Sequence, residues 1–384
     1  MRENNDIVEF INEKKEMYDV LLDYLENGDS NLDFLLNTMN VHFFLEDKDE
    51  LNEFIRLLFK ISNHHQRQPD LFAKIKQILD IISNSIKKTY SNIDIFKIFC
   101  KNKLFLLYLI EKNVISIDNT IVNLIMEKSE PNSSKFCHFF YPEIEFFINE
   151  EKRKEIKKEL LNIDPQIFTN FESNRQKGEN DSYICKLIRN DLIDDFISHV
   201  TRTNLSLSSK IKSSLFETNN FLIKNESSLI EYAAFFGSIQ IFRYLQLSHV
   251  KMTPSLWLYA IHGRNAELIH LLEENQVELD DKTYEKYLKE SIKCHHNDIA
   301  SYFLNNFANE TEEQLNDDFE FTFKNNVVAY AFQYRNYSFI DKEINHIYVF
   351  FYSCLFNLFP LVKLFLKTKD VSYNYKIISN SFSF

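Results

Sequence analysis

Glycine and proline are nearly missing from this chain, with 4 Gly and 6 Pro among 384 residues, where average usage would supply roughly 45 of the two together. β-Sandwiches, barrels and nucleotide-binding α/β folds need glycine at tight hairpin turns and phosphate loops, because only Gly reaches positive φ there without strain. Four scattered glycines exclude most of those folds. The chain also lacks Gly-x-Gly-x-x-Gly, a Walker loop, Gly-x-Ser-x-Gly and His-Glu-x-x-His, so phosphate-loop, nucleophile-elbow and metalloprotease chemistry are without their signatures. Cysteine is sparse: Cys100, Cys137, Cys185, Cys294 and Cys354 stand at gaps of 37, 48, 109 and 60. No metal-knuckle or redox spacing is among these, and the five read as buried thiols in a reducing compartment.

Positive charge is in deficit. Lys and Arg number 44 against 56 Asp and Glu, a net charge of −12, and no basic face is segregated, so nucleic acid is not an expected partner. The start Met1-Arg2-Glu3-Asn4-Asn5-Asp6 lacks the apolar core of a secretory signal, and a cytoplasmic address is expected. The closest approach to a membrane span, Ile347 to Val362, has 16 residues without a charge and includes Asn357 and Pro360. A membrane span needs about 20 residues, so this stretch is expected to be two helices and no membrane span is anticipated.

The chain is rich in apolar and aromatic residues: it is 45% hydrophobic and 26% charged, with 37 Phe and 19 Tyr. Such a composition folds and builds a large core. Apolar positions at helical spacing predict a long helix from Ile7 to Asn27 with Gly28 as its C-cap, then helices over 51–61 and 71–88, and shorter ones at 92–112, 117–128 and 142–162. The run Leu104-Phe105-Leu106-Leu107-Tyr108-Leu109-Ile110 is apolar on every side and predicts a buried central helix. His64-His65 falls at a helix C-terminus. Between 166 and 182 the pattern turns polar, which reads as a linker or as a recognition loop. The expected organisation is an N-terminal helical domain at 1–165, a polar linker at 166–182 and a repeat array at 183–384.

That array is visible as internal repetition. Ser228-Leu229-Ile230-Glu231-Tyr232-Ala233-Ala234-Phe235-Phe236-Gly237 aligns without a gap, 27 residues on, with Ser255-Leu256-Trp257-Leu258-Tyr259-Ala260-Ile261-His262-Gly263-Arg264. Weaker copies place small-residue anchors at Ser291, Ala331 and Ser353 after Ala233 and Ala260, giving spacings of 27, 31, 40 and 22. A less regular copy begins at Tyr183. Each copy predicts a helix, a tight corner and a second helix, and the small anchor lets neighbouring layers approach closely. Gly237 and Gly263 fall at the corners of the two best copies, and Asn336 and Asn357 lie at or beside the corner in the weaker ones. Past the corner, Phe242, Ile269, Ala300, Ile340 and Val362 form an apolar column.

The order Ser-Leu-Ile-Glu-Tyr-Ala-Ala-Phe-Phe-Gly at 228–237 resembles the ankyrin-repeat pattern Thr-Pro-Leu-His-x-Ala-Ala-x-x-Gly. Asn265 to Leu272 resembles its second helix, and Leu361 to Lys367 followed by Asp370-Val371 is similar to the end of a repeat and the start of its finger. Gly178 to Cys185 together with Ile230 to Gly237 is similar to a large ankyrin-like family of unknown function expanded in trichomonad protists. The resemblance implies an all-α chain whose second part is an ankyrin-like solenoid. Because the spacings fall on both sides of the usual ~33 residues, finger hairpins are expected to be short or missing.

Tyr232, Tyr259, Tyr330 and Tyr352 share one column of the first helices, interrupted by Glu290. On an ankyrin-like scaffold this column is either a partner surface or packing between layers with the hydroxyls reaching outward. Phe235, Phe236, His262, Gln333 and Tyr334 occupy the adjoining corner columns and complete the candidate interaction surface. Cys294-His295-His296 with Asp298 is predicted at a corner, where adjacent residues diverge, so no metal site is assigned. No catalytic or cofactor-binding residue and no cofactor is assigned. The expected function is a non-enzymatic protein–protein interaction scaffold. The alternatives are an enzyme with a site in the N-terminal helices or near Asn174 to Asp181, and a structural module that assembles through an uncapped C-terminal repeat.

Overall fold

The computed structural model describes residues 2–27, 31–38, 46–65, 69–128, 136–279, 284–311, 317–340 and 346–367. The expected cap at Gly28 and the finger start at Asp370-Val371 lie outside the described residues. Among the described residues all regular structure is helical, and the single exception to helix and turn is an isolated antiparallel bridge between Lys210 and Ser228. The chain is therefore all-α, as its glycine poverty implies.

Contacts divide it into two compact units, residues 1–75 with 281–384 and residues 76–280. These bounds differ from the three-part division drawn from composition, and residues 166–182 fall inside the second unit. There the polar run forms a short 3-10 turn, Ile167–Asn170, and the helix Phe171–Lys177. Most of its polar residues are exposed, but Arg175 and Asn180 turn inward. Arg175 is 1% exposed and lies between the rings of Phe139 and Phe171. Its guanidinium donates to the Phe139 carbonyl at 2.9 Å, to both Glu143 oxygens at 2.6 and 2.8 Å, and to Glu172 at 2.6 Å. A buried charge is tolerated when paired and hydrogen-bonded in this way.

The predicted central helix of the second unit is Lys103–Glu111, with Leu104, Phe105, Leu106, Leu107, Leu109 and Ile110 all buried. Asn102 opens it by accepting the Phe105 N–H at 3.1 Å. In the first unit the helix Arg2–Glu26 packs on the 3-10 turn Tyr337–Phe339 and on the helix Phe359–Lys367. The helix Lys48–His64 packs on Glu285–Cys294 and on Phe359–Lys367. As the sequence suggests, His64 ends its helix and His65 is the C-cap.

The helix pairs follow one local rule. The anchors Ala233, Ala260, Ser291, Ala331 and Ser353 are all 0% exposed, and Leu187, which takes the same place in the irregular copy, is 2% exposed. Four residues beyond each anchor stands a residue of positive φ: Asp191 (49°), Gly237 (68°), Arg264 (44°), His295 (60°), Arg335 (59°) and Asn357 (57°). In five of the six pairs the next N–H returns to the anchor carbonyl: Leu192 to Leu187 at 3.0 Å, Ser238 to Ala233 at 2.9 Å, His296 to Ser291 at 3.1 Å, Asn336 to Ala331 at 2.9 Å and Leu358 to Ser353 at 2.8 Å. This is the Schellman closure that satisfies the last carbonyls of a helix.

Gly237 and Asn357 turn their corners as expected and Asn336 stands beside its corner, but Gly263 is not a turning residue. Arg264 and Arg335 take the left-handed position in place of Gly263 and Asn336, at a cost of roughly 1–3 kcal/mol for a residue with a side chain. Residue preference is met at Gly237 and Asn357, and in part at Asp191 and His295, whose types are enriched in the left-handed region. Gly263 is helical and is glycine for space: a Cβ there would lie 2.3 Å from the Ala234 carbonyl oxygen. Asn336 instead braces the layers, donating from Nδ2 to the Ile292 carbonyl at 3.1 Å, as Ser238 Oγ does to the Ile188 carbonyl at 2.5 Å. The carboxylate of Asp191 accepts the N–H groups of Gln240 and Ile241 at 3.0 Å each, so the corner of one pair caps a helix of the next.

Candidate functional site

The tyrosine column is built on these layers, and each hydroxyl reaches an element earlier in the chain. Arg189 donates to the Tyr232 hydroxyl at 3.0 Å, and Ser227 Oγ donates to the Tyr259 hydroxyl at 3.1 Å. Tyr330 donates to Glu285 at 2.5 Å and Tyr352 to the Asn325 carbonyl at 3.3 Å. Tyr232 and Tyr259 are 1% and 4% exposed, so packing between layers is the role they fill, whereas Tyr330 and Tyr352 are half-buried. Burial pushes the Tyr232 hydroxyl well above its ordinary pKa and that of Tyr259 up to about 12. The same cause raises the thiol of Cys185, which neighbours Tyr232, to about 11 and keeps it protonated.

In the corner columns Phe235 is buried, with its ring stacked near those of Phe221 at 5.9 Å and His262 at 5.2 Å. His262 is itself buried and its ring centroid lies 4.2 Å from that of Phe221. Phe236 is half-buried against Tyr232 and Phe235, with the Arg189 guanidinium over its ring. Gln333 is half-buried; Tyr334 is buried, with Lys60 over its ring and His64 edge-on to it. Of the nine candidates, Phe236, Tyr330, Gln333 and Tyr352 thus keep a share of solvent. The other five, Tyr232, Phe235, Tyr259, His262 and Tyr334, are buried.

Three concavities among the described residues of the second unit bear on function, and only the one at Asn174 to Asp181 was anticipated. A polar cleft of about 700 Å³ is bounded by Asn180, Lys210, Lys212, Glu217, Glu226 and Tyr232. Its floor is tied together: Glu217 accepts the N–H groups of Asn180 at 3.2 Å and Asn219 at 2.7 Å, and Asn180 donates to the Lys212 carbonyl at 2.8 Å. Beside it a hollow of about 320 Å³ includes Asn174, Lys177, Glu179, Asp181 and Arg189, the region named for the enzyme alternative. Its carboxylates serve as struts, Glu179 pairing with Arg189 at 3.0 Å and Asp181 accepting from Ser214 at 2.7 Å. A groove of about 650 Å³ runs along Tyr141, Pro142, Phe168 and Phe171, and next to it Phe146, 81% exposed, and Phe147 project from a turn.

The first unit contains a buried histidine cluster that sequence reading divided between two helix ends. His295 stands at the expected corner, 1% exposed, with its Nδ1 hydrogen-bonded to the Tyr18 hydroxyl at 3.0 Å and its Nε2 without a partner among the described residues. The His65 ring lies 4.9 Å from that of His296 and pairs with Glu26 at 2.8 Å. Burial, reinforced by the nearby charges of His65 and Lys60, holds the His295 pKa well below the usual imidazole value.

Cys137, Cys185 and Cys294 are buried as expected, but Cys100 is half-buried and Cys354 is exposed. The stretch 347–362 divides between the helices His346–Leu355 and Phe359–Lys367, and no helix among the described residues is long and apolar enough to cross a membrane. No family model, curated protein or solved structure matches the chain.

Proposed function

We propose that the chain is a non-enzymatic, cytoplasmic scaffold for protein–protein interaction, built from ankyrin-like helix pairs whose finger hairpins are short or missing. One observation carries this reading: the same unit of buried anchor and left-handed corner recurs six times between Leu187 and Asn357. Stacked units of this kind hold side chains on a rigid backbone, so a partner that docks on them orders little of the scaffold. The shortness of the fingers is supported by the segment around Lys210. It pairs briefly with Ser227 to Leu229 through Ile211 N–H to the Ser227 carbonyl at 2.7 Å and Leu229 N–H to the Ser209 carbonyl at 3.1 Å.

A protein partner would meet Phe236 on the second unit, or Tyr330, Gln333 and Tyr352 on the first. The test is affinity purification with the full chain beside its Phe236→Arg and Gln333→Arg variants, each shown by circular dichroism to keep its helix content. A partner that binds the wild type and loses tenfold or more in affinity to either variant supports the reading. Equal binding to all three chains overturns the surface, and a folded wild type that retains no partner overturns the function.

A further inference from the structure

The connection between the helices Ile193–Thr203 and Asn220–Lys224 is the longest stretch without a helix among the described residues of the second unit. Within it Ser209 and Ile211 are half-buried while Lys210 and Lys212 are exposed, the alternation of an extended strand. Its ladder is short. Two hydrogen bonds, from Ile211 N–H to the Ser227 carbonyl and from Leu229 N–H to the Ser209 carbonyl, flank the bridge between Lys210 and Ser228. Past them the two stretches no longer bond to each other, and both 210–214 and 225–227 bound the polar cleft of about 700 Å³.

The main chain along this cleft is left unpaired. The N–H groups of Lys210, Lys212, Ser213, Ser214, Glu226 and Ser227 donate no hydrogen bond, and the carbonyls of Lys210, Ile211, Ser213 and Glu226 accept none. Main-chain donors and acceptors left open in a row are the template on which another strand adds. The charged side chains point to the partner. Lys210 pairs with Glu226 at 2.9 Å, and the Glu217 carboxylate is held by the N–H groups of Asn180 and Asn219. Of the charged residues that bound the cleft, Lys212 alone has a side chain with neither an ion pair nor a hydrogen bond, and it is exposed.

We propose that a partner protein adds an extended acidic segment along residues 210–214, pairing its main chain with these open groups and setting an Asp or Glu against Lys212. The inference rests on the scaffold reading and names the kind of partner. Five residues of edge run about 16 Å, the length of a short strand. Ile211, Leu222 and Ile223 line the same cleft and meet the apolar side chains of the added segment. The edge is also held in place before anything binds. Asn180 donates to the Lys212 carbonyl at 2.8 Å and Ser214 Oγ to Asp181 at 2.7 Å, so the cost of ordering falls on the added segment.

The test selects a phage-displayed library of random decapeptides on the full chain and measures the enriched sequences as labelled peptides by fluorescence anisotropy. Peptides carrying Asp or Glu are expected, with affinity lowered tenfold or more in the Lys212→Glu chain. N-Methylation of the peptide separates strand pairing from simple charge attraction, because only alternate residues of an added strand turn their N–H groups to the edge. Methylation in one alternating register is expected to lower affinity tenfold or more, and in the other register to leave it within twofold. Equal loss in both registers, affinity unchanged by Lys212→Glu, or no peptide enriched above the library background overturns the proposal. A partner protein that depends on Phe236 or Gln333 yet binds the Lys212→Glu chain as tightly as wild type also overturns it, while the scaffold reading stands.

Discussion

Glu53 and Arg335 are 282 residues apart in sequence and meet as a buried two-pronged ion pair. Arg335 Nε lies 3.1 Å from Glu53 Oε2 and Nη2 lies 3.2 Å from Oε1, with the side chains 7% and 4% exposed. Arg335 Nη2 also donates to the Phe356 carbonyl at 3.0 Å, so one guanidinium ties the helix Lys48–His64 to two helix pairs.

Because each partner leaves a buried charge behind, Glu53→Ala or Arg335→Ala alone is expected to cost about 3–5 kcal/mol in urea unfolding. A double replacement by apolar residues of similar volume, Glu53→Leu with Arg335→Met, is expected to recover most of that loss. Single variants within 1 kcal/mol of wild type would contradict the burial of the pair.

Acid should loosen the first unit through His295. Its folded pKa is depressed, so the unfolded chain takes up a proton near pH 6.5, the ordinary imidazole value, while the folded chain does not. Stability from this group is complete above about pH 6.5 and falls below it, by at most about 1.4 kcal/mol per pH unit. Tyr18, His65, His296, Lys60 and Glu26 face or border the cluster, and none of them is altered in a His295→Asn chain, which also suits the left-handed corner. Urea midpoints at pH 7.5 and 5.0 should converge in that variant relative to wild type; an unchanged difference excludes His295 as the source.

The two described repeat glycines should fail for different reasons. Gly237 has φ 68° and an added Cβ would make only ordinary contacts, the nearest at 3.5 Å, so Gly237→Ala is expected to cost about 1 kcal/mol of backbone strain. Gly263→Ala has no such strain but meets the Ala234 carbonyl oxygen at 2.3 Å, and overpacking of this kind costs about 1–3 kcal/mol or more. Thermal unfolding that ranks Gly237→Ala as the more damaging would reverse this assignment.

Arg175→Lys is expected to lower stability by about 3 kcal/mol, although charge is conserved. A single ammonium cannot reproduce the bonds to Phe139, Glu143 and Glu172 or the flat contact with two rings. Proteolysis should then cut first within 166–182, detected by mass spectrometry of the early fragments.

Much of the local structure was legible in the sequence. Helical spacing and the shortage of glycine identify an all-α chain, and the run Leu104 to Ile110 marks a helix that is indeed buried. The anchors Ala233, Ala260, Ser291, Ala331 and Ser353 could be aligned, since a fully buried contact admits only a small side chain. The turning role of Arg264 was legible in the gapless alignment, which sets it opposite Gly237, although glycine preference pointed to Gly263 instead. The pairing of Glu53 with Arg335 was hidden, since no local pattern reports a contact across 282 residues. For the candidate surface, the tyrosine column was readable but its direction was not: Tyr232 and Tyr259 are buried while Tyr330 and Tyr352 keep some solvent, a difference set by their neighbours rather than by their register.

Anchor and turning residue are four apart in all six helix pairs, although the anchors themselves are spaced 46, 27, 31, 40 and 22 residues from one pair to the next. Chain length is therefore constrained within the hairpin and free between hairpins. A residue inserted after Lys251, in the connection between two pairs, lengthens a loop at little entropic cost. The same residue inserted between Ala260 and Arg264 rotates everything beyond it by about 100° and turns the apolar column that begins at Ile269 away from the core. Growth and loss of sequence in such a chain can proceed at the joints, with the turns held to a fixed count.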